Sequence, residues 1–202
     1  MRCITVIAGA LLLAGCAQEQ DYEPRNGDVV FQTSRSSQSL AIQLATNSPY
    51  SHMGIVYVRD GEPLVFEAVQ PVKLTPLSAW IERGEREHFV AKRLRDADSQ
   101  LTPETLRRMF AAGEKFTGKD YDLYFEWSDD RIYCSELVWK VFERGAGIRL
   151  GEQQTIADFD LSHPAVAAKV KERYGDRIPR DEVVVSPAAI FNASNLITVY
   201  DN

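Results

Sequence analysis

Short runs of β-forming residues alternate along this chain with longer stretches in which apolar residues recur at helical spacing. The runs 52–58 and 64–69 are separated by Asp60-Gly61, and such a pair between two β-rich runs is a strong signal for a hairpin. The pattern therefore predicts an α+β domain with an antiparallel hairpin. Further strands are predicted at 28–33, 88–93 and 183–185. Helices are predicted at 39–45, 76–83, 102–116 and 164–174; another helix begins at 134, and a turn of helix begins at 187.

The register of this hairpin decides where Glu67, the only charge in the apolar run 64–69, points. If Asp60 and Gly61 form the turn, Glu67 pairs with Gly54, and His52 lies two residues further along on the same face. A carboxylate diagonal to an imidazole is within reach to orient it. A three-residue turn would place Glu67 on the opposite face. A lone strand glutamate usually faces solvent, but burying it without a partner would be costly, so we predict that it pairs with His52.

Cys134 is the only cysteine beyond residue 16, and it opens the apolar helical stretch 134–142. At the amino end of a helix, unpaired backbone N–H groups and the helix dipole favour a thiolate. The same position also suits a small buried core cysteine, because free cysteine is among the most buried residue types. The position of Cys134 alone does not decide between a nucleophile and a core residue.

A histidine partner favours the nucleophile. Cysteine, histidine and a carboxylate suffice for attack on a carbonyl: the thiolate attacks, the imidazole carries the proton, and the third group orients the imidazole. In this chain the order is His52, Glu67, Cys134. In papain-like enzymes the cysteine comes first, so the sequence motifs of those families do not transfer directly.

Five segments, taken together and in this order, resemble the YiiX-like permuted papain-fold proteins, which are relatives of the NlpC-type cell-wall peptidases. The resemblance covers essentially everything after residue 25. The segments are Asn26-Gly27-Asp28-Val29-Val30-Phe31, Tyr50-Ser51-His52-Met53-Gly54-Ile55-Val56, Val65-Phe66-Glu67-Ala68, Tyr121-Asp122 and Tyr133-Cys134-Ser135-Glu136-Leu137-Val138-Trp139.

The resemblance implies a circularly permuted papain-like (NlpC-type) fold, in which an antiparallel sheet packs on helices and the nucleophile lies at a helix N-terminus. It also implies a catalytic set of Cys134, His52 and Glu67, and a structural or cleft-lining role for Asp28. It says much less about the substrate, because function depends on the site and not on the fold.

Two classes of function follow. The first is an envelope thiol hydrolase, a cysteine amidase or peptidase, that cleaves a peptide or amino-acid amide through a thioester on Cys134; hydrolysis or transfer of lipid acyl groups is a variant on the same residues. Its oxyanion would be met by the Cys134 backbone N–H and by Tyr50 or Tyr121. The second is a noncatalytic envelope module that binds peptides or lipid head groups. We favour the enzyme, because a binding module does not need cysteine, His52 and Glu67 together.

The amino end predicts export. Arg2 and the apolar run 4–13 are built like a secretory signal and are too short to span a membrane comfortably. The run ends in Leu13-Ala14-Gly15-Cys16, which looks like a bacterial lipoprotein processing site that would leave Cys16 lipidated. An ordinary secretory signal with an incidental Cys16 is the alternative. The residues that follow, Ala17-Gln18, resemble outer-membrane sorting in enteric-type bacteria.

This organisation gives a signal peptide at 1–15, a lipidated tether at 16–26 and one domain at 27–202. The expected location is the periplasmic side of a membrane, the outer membrane rather than the inner. The formal charge of -6 and the dispersed basic residues argue against nucleic acid as a partner.

No metal or cofactor is expected. Zinc is a competing interpretation, because His52, Glu67 and Cys134 are all legitimate ligands, but no second cysteine or histidine comes at ligand spacing. His88 and His163 are expected at the surface or at a cap. The pair Asp129-Asp130 is expected to cap a helix rather than to bind a cation.

Overall fold

The computed structural model describes residues 21–202. The predicted signal peptide and Cys16 lie outside the described residues. The strands are β1 (Val29–Gln32), β2 (His52–Arg59), β3 (Glu62–Glu67), β4 (Lys73–Pro76), β5 (Val90–Leu94), β6 (Gln154–Thr155), β7 (Val183–Val184) and β8 (Leu196–Asp201). The α-helices are α1 (Ser37–Thr46), α2 (Leu77–Glu82), α3 (Ala97–Gln100), α4 (Pro103–Glu114), α5 (Cys134–Ala146), α6 (Pro164–Tyr174) and α7 (Pro187–Phe191).

Six strands form one antiparallel sheet in the order β4-β3-β2-β1-β5-β8, and β6 pairs with β7 apart from it. Both faces of the sheet are buried. On one face Val29, Phe31 and Ile55 pack into the large core that contains α5, and on the other Val30 and Val56 join a smaller cluster around Trp80 of α2. The fold is therefore α+β, as the sequence pattern predicts.

The hairpin of β2 and β3 has the two-residue turn that the sequence predicts. Arg59 pairs with Glu62, and Asp60 and Gly61 adopt positive φ angles of 51° and 82°. A tight hairpin turn of the I′ type needs positive φ at both central positions, which an Asp-Gly pair supplies at little cost. The register, which pairs Ile55 with Phe66, places Glu67 on the same face as His52.

Helix α5 is the central element of the core. Ten of its 13 residues are buried, which is the pattern of a helix covered on several sides. It packs on β2 and on α4. At the crossing with α4, a Cβ on Gly145 would come within 2.4 Å of the Cα of Met109, so only glycine permits this approach of the two helices.

The main error of the sequence interpretation lies at the end of the chain. The strand predicted at 183–185 is the two-residue β7, which pairs with β6 outside the main sheet. One edge of the main sheet is instead β8, which pairs with β5 and which the pattern analysis missed. Its sequence, Leu-Ile-Thr-Val-Tyr-Asp, is rich in β-forming residues, so a local signal was present.

The predictions for the two other histidines and for Asp129-Asp130 had different outcomes. His163 caps α6 by accepting a hydrogen bond from the Ala165 N–H, and His88 lies at the surface beside Asp201, as predicted. The expectation that Asp129-Asp130 cap a helix is wrong: α5 begins after Tyr133, and Asp129 instead binds basic side chains further along that helix. Within residues 21–202, no helix is long and apolar enough to cross a membrane.

Candidate active site

The first turn of α5 is held in place by the chain that precedes α7. The hydroxyl of Ser135 donates a hydrogen bond to the Val185 carbonyl at 2.8 Å, and the Tyr133 hydroxyl accepts one from the Val185 N–H at 3.1 Å. Tyr133 itself is extended, with φ -103° and ψ 167°, and forms the N-cap. Cys134 is therefore the first residue of a fixed helix, and its side chain is buried, with 2% exposed.

His52 begins β2, and Glu67 ends β3, so the hairpin register brings both to the end of the sheet that faces Cys134. Nε2 of His52 lies 2.6 Å from Oε2 of Glu67, and the Glu67 side chain is completely buried. Trp80 stacks on the imidazole at a ring-centroid distance of 6.1 Å. Because Glu67 engages Nε2, the other ring nitrogen is the one left for Cys134.

The remaining oxygen of Glu67 is also satisfied. Oε1 accepts hydrogen bonds from the Thr75 hydroxyl at 2.6 Å and from the Arg83 guanidinium at 2.5 Å. Burial alone would raise the pKa of this carboxyl, but the hydrogen bond and charge of His52, the Thr75 hydroxyl and the Arg83 charge outweigh burial and lower it. Glu67 is thus a buried carboxylate with its charge retained.

His52 is stabilised in its charged form. Burial would lower the pKa of the imidazole, but hydrogen bonds to Cys134 and Glu67 and the negative charges of both groups raise it to about 9. The imidazole is therefore placed between the thiol and the carboxylate and holds its proton at neutral pH. An imidazolium beside a cysteine is the arrangement that proton donation by His52 in nucleophilic catalysis requires.

Tyr121 lines the same cavity as Cys134. Burial, followed by the negative charge of Cys134, raises the pKa of its phenol well above the ordinary value. The phenol hydroxyl accepts a hydrogen bond from Gln38 Nε2 at 3.0 Å, and Gln38 Oε1 accepts one from Arg173 at 2.7 Å. A row of polar groups from α6 and α1 thus orients the phenol, which keeps its proton as a donor.

The structure separates the other two predicted cleft residues from this group. Tyr50 stacks on Phe191 at 4.2 Å between ring centroids and meets Phe31 edge to face. Asp28 is fully buried and forms a two-pronged ion pair with Arg93, at 2.6 and 2.8 Å, with a further hydrogen bond from Tyr22. These contacts support the structural alternative for Asp28.

Two cavities meet at the site. One, of about 120 Å³, includes Cys134 and is walled by mostly apolar side chains from α1, α6 and the segments 156–161 and 184–187. The other, of about 580 Å³, includes His52, and most of the residues that line it have polar side chains. Gln38, Ile42 and Tyr121 line both cavities and mark the boundary between them.

Four residues of this site escaped the sequence analysis: Thr75, Arg83, Gln38 and Arg173. Each lies on an element other than those that carry the cysteine, histidine and glutamate. Polar side chains on short strands and helix ends are common at the surface, so nothing in the local pattern distinguishes these four. Only their contacts in the folded chain do.

The contact between His52 and Glu67 excludes a metal ion bridged by the two atoms that bond each other. The hydrogen bond of 2.6 Å between His52 and Glu67 leaves no room for an ion between these two atoms, since a ligand sphere needs about 2 Å on each side of the metal. Among residues 21–202, no group of three or more histidine, cysteine, aspartate or glutamate side chains is placed to hold a metal.

The sheet carrying the histidine precedes the helix carrying the cysteine in the chain, and this order with this architecture defines a permuted papain-like protein. Residues 23–200 match the family model described as permuted papain-like amidase enzyme, YaeF/YiiX, C92 family. The chain belongs to this family, whose description is that of a cysteine-type amidase or peptidase.

Two relatives are similar over almost their whole length. The chain is 52% identical over 178 residues to the uncharacterized protein YiiX of Escherichia coli (strain K12), covering 88% of this chain and 87% of that protein. It is 51% identical, with a TM-score of 0.85, to a crystal structure of metalloprotein yiiX from Escherichia coli O157:H7, covering 90% of this chain and 99% of that one. The fold assignment therefore agrees with a solved structure at high identity.

Proposed function

We propose that this protein is a cysteine amidase in which Cys134 is the nucleophile, His52 the general base and acid, and Glu67 the group that orients His52. The observation that carries the proposal is the buried imidazole of His52, which bonds Glu67 at 2.6 Å and whose pKa Cys134 and Glu67 raise to about 9. A noncatalytic binding module has no need for a buried imidazolium with a pKa of about 9 between a thiol and a carboxylate, so the geometry favours an enzyme.

The reaction follows from the positions of these groups. The Cys134 sulfur attacks the amide carbonyl, and the negative charge that develops on oxygen is met by the Cys134 backbone N–H and the Tyr121 hydroxyl. His52 gives its proton to the amide nitrogen, the C–N bond breaks, and the amine departs. Water, deprotonated by His52, then attacks the thioester and releases the acid with the free thiol.

The cavity beside Cys134 favours a substrate whose acyl group is apolar. Its walls include Ile42, Val166 and Val170, which would offer an acyl chain or a large apolar side chain a dry environment. The same observation favours a second candidate function, the hydrolysis or transfer of lipid acyl esters on the same residues. An amide with an apolar acyl half fits both this cavity and the family's description as amidases.

Intact-mass spectrometry tests the proposed mechanism directly. Mixing the protein with an N-acyl amide and quenching within seconds in acid is expected to reveal a fraction of protein heavier by the acyl group, and peptide mapping is expected to place it on Cys134. The Cys134→Ser variant is the matched control and should form no acid-stable thioester. Product formation with no adduct, and with full activity in Cys134→Ser, would contradict the mechanism.

We further propose that the protein is exported and anchored through a lipid on Cys16, facing the periplasm. In Cys16→Ser the lipoprotein pathway has no thiol to modify, so the precursor is expected to remain unprocessed and to change its membrane fractionation, since a lipid anchor depends on the buried chain length. Cell fractionation with mass measurement of the mature amino terminus checks this. Normal cleavage and unchanged extraction in Cys16→Ser would leave an ordinary secretory signal as the explanation.

A further inference from the structure

The larger cavity beside His52 has a chemical character different from that of the acyl cavity. Its volume is about 580 Å³, and its walls come from the end of β1, the start of α1, the segment 68–70 and the side chains of Arg83 and Tyr121. Most of the residues in this lining carry a hydroxyl, amide or guanidinium group, which is not true of the acyl cavity. The role of the cavity in the reaction rests on the proposed function, because it concerns the half of the substrate that leaves.

The lining of this cavity carries positive charge. Arg35 and Arg83 both line it, and within the described part of the chain no aspartate or glutamate is among its lining residues. Arg83 donates one hydrogen bond to Glu67 behind the lining, and Arg35 donates one to a backbone carbonyl at 2.8 Å. A guanidinium has five N–H donors, so each arginine retains donors for a ligand. At the rim, Asp120 already accepts a hydrogen bond from Gln70.

The lining of the polar cavity also includes a buried side-chain amide, that of Gln32. Gln32 lines the same cavity with its side chain 1% exposed, and its Oε1 has no hydrogen-bond partner in the described part of the chain. It lies on β1 directly opposite His52. A buried polar atom without a partner is costly, and rotating the amide by half a turn exchanges its donor and acceptor without changing its packing. Gln32 can therefore present the group that a ligand beside His52 requires.

The mechanism assigns this cavity to the leaving group. His52 must protonate the departing amine, so the amine lies on the His52 side of the scissile bond while the acyl group lies on the Cys134 side. Cys134 lines only the apolar cavity of the two, and His52 lines only the polar one. The amide bond would cross the boundary at Tyr121, with one half of the substrate in each cavity.

We propose that the polar cavity is the leaving-group subsite and that it takes an amine bearing an anionic group, a carboxylate or a phosphate. The substrate class is then an N-acyl amine with an apolar acyl half and an anionic amine half. Arg35 binds the anion, Gln32 binds a polar group next to the scissile amide, and Arg83 contributes charge while it holds Glu67.

Matched substrates test this proposal. N-decanoylglycine and neutral N-decanoylglycinamide form one pair, and N-decanoyl-2-aminoethyl phosphate and neutral N-decanoylethanolamine form the other. For wild type, kcat/KM is expected to be about tenfold to a hundredfold higher for the anionic member, the usual effect of a charge-assisted hydrogen bond. The pair with the larger ratio identifies carboxylate or phosphate as the preferred anion.

Arg35→Gln is expected to reduce the anionic-to-neutral ratio to within about threefold, since it removes the charge that faces the anion. Arg107→Gln is the control, because Arg107 is exposed on α4 and pairs with Glu104 outside both cavities. It should retain the wild-type ratio. Cys134-dependent turnover of both members with no anionic preference, or an unchanged ratio in Arg35→Gln, would overturn the subsite while leaving the amidase proposal intact.

Binding measurements distinguish a failure of the leaving-group subsite from a failure of the proposed amidase function. Calorimetric titration of Cys134→Ser with N-decanoylglycine and N-decanoylglycinamide measures the preference for the anion without turnover. Tighter binding of the anion that is lost in Cys134→Ser/Arg35→Gln supports the subsite even if wild type hydrolyses none of the four compounds, in which case the proposed function fails. Equal binding of both ligands, or tighter binding of the neutral one, overturns the subsite.

Discussion

Replacing His52 by alanine is expected to lower kcat for an N-acyl amide by roughly 10³- to 10⁴-fold, because the variant loses the group that carries the proton and stabilises the thiolate. The rate of Cys134 alkylation measures the stabilisation of the thiolate separately from proton transfer. In wild type, iodoacetamide should react with Cys134 at pH 6. An ordinary thiol with a pKa of about 8.5 is only about 0.3% ionised there, so His52→Ala is expected to react roughly a hundredfold more slowly at this pH.

The pH profile also has an expected upper limit. Because the pKa of His52 is about 9, the imidazolium persists through neutral pH and loses its proton as the pH rises through that value, so expulsion of the amine should slow above it. Glu67→Gln removes a negative charge that raises the pKa of His52, so the fall in kcat should begin at lower pH. Its effect on kcat at neutral pH should be smaller than that of His52→Ala.

Rates of alkylation and of turnover measured from pH 5 to pH 10 check these expectations. His88→Ala is the matched control, because His88 is a surface histidine paired with Asp201 and should leave both profiles unchanged. Cys134→Ser supplies the blank for alkylation. An ordinary thiol profile in wild type that His52→Ala does not alter would refute the catalytic assignment and favour a binding module.

Tyr121→Phe is expected to lower kcat about 10²- to 10³-fold with little change in KM, the size of effect found when one donor to an oxyanion is removed. The substitution keeps the ring that lines both cavities and removes only the hydroxyl held by Gln38. Because the hydrogen bond to oxygen strengthens as charge develops, the loss should fall on the chemical step and not on substrate binding.

Tyr50→Phe is the control that the chain itself provides. Its ring stacks on Phe191, and removal of its hydroxyl should change kcat by less than about twofold. Steady-state kinetics of both variants on one substrate give the comparison. A large loss in Tyr50→Phe with none in Tyr121→Phe would reverse the assignment of the oxyanion donor, and a rise in KM alone for Tyr121→Phe would make it a substrate-binding residue.

The sequence by itself determined the features that depend on neighbouring residues. Asp60-Gly61 fixes a two-residue turn because both positions accept positive φ, and that turn fixes the register that aligns Glu67 with His52. Helical spacing after Tyr133 places Cys134 at the start of α5. The motif segments, taken together, indicated the permuted papain-like fold.

Tertiary structure decided the features that depend on contacts between distant segments. It brought Tyr121 and not Tyr50 to Cys134, although both tyrosines belong to the motif segments. It surrounded Glu67 with Thr75 and Arg83, which keep the buried carboxylate charged, and it opened an apolar cavity on one side of Tyr121 and a polar one on the other. Local patterns report backbone preference and periodicity. The pairing of side chains from separate elements depends on how the whole core packs, and a one-dimensional pattern does not record it.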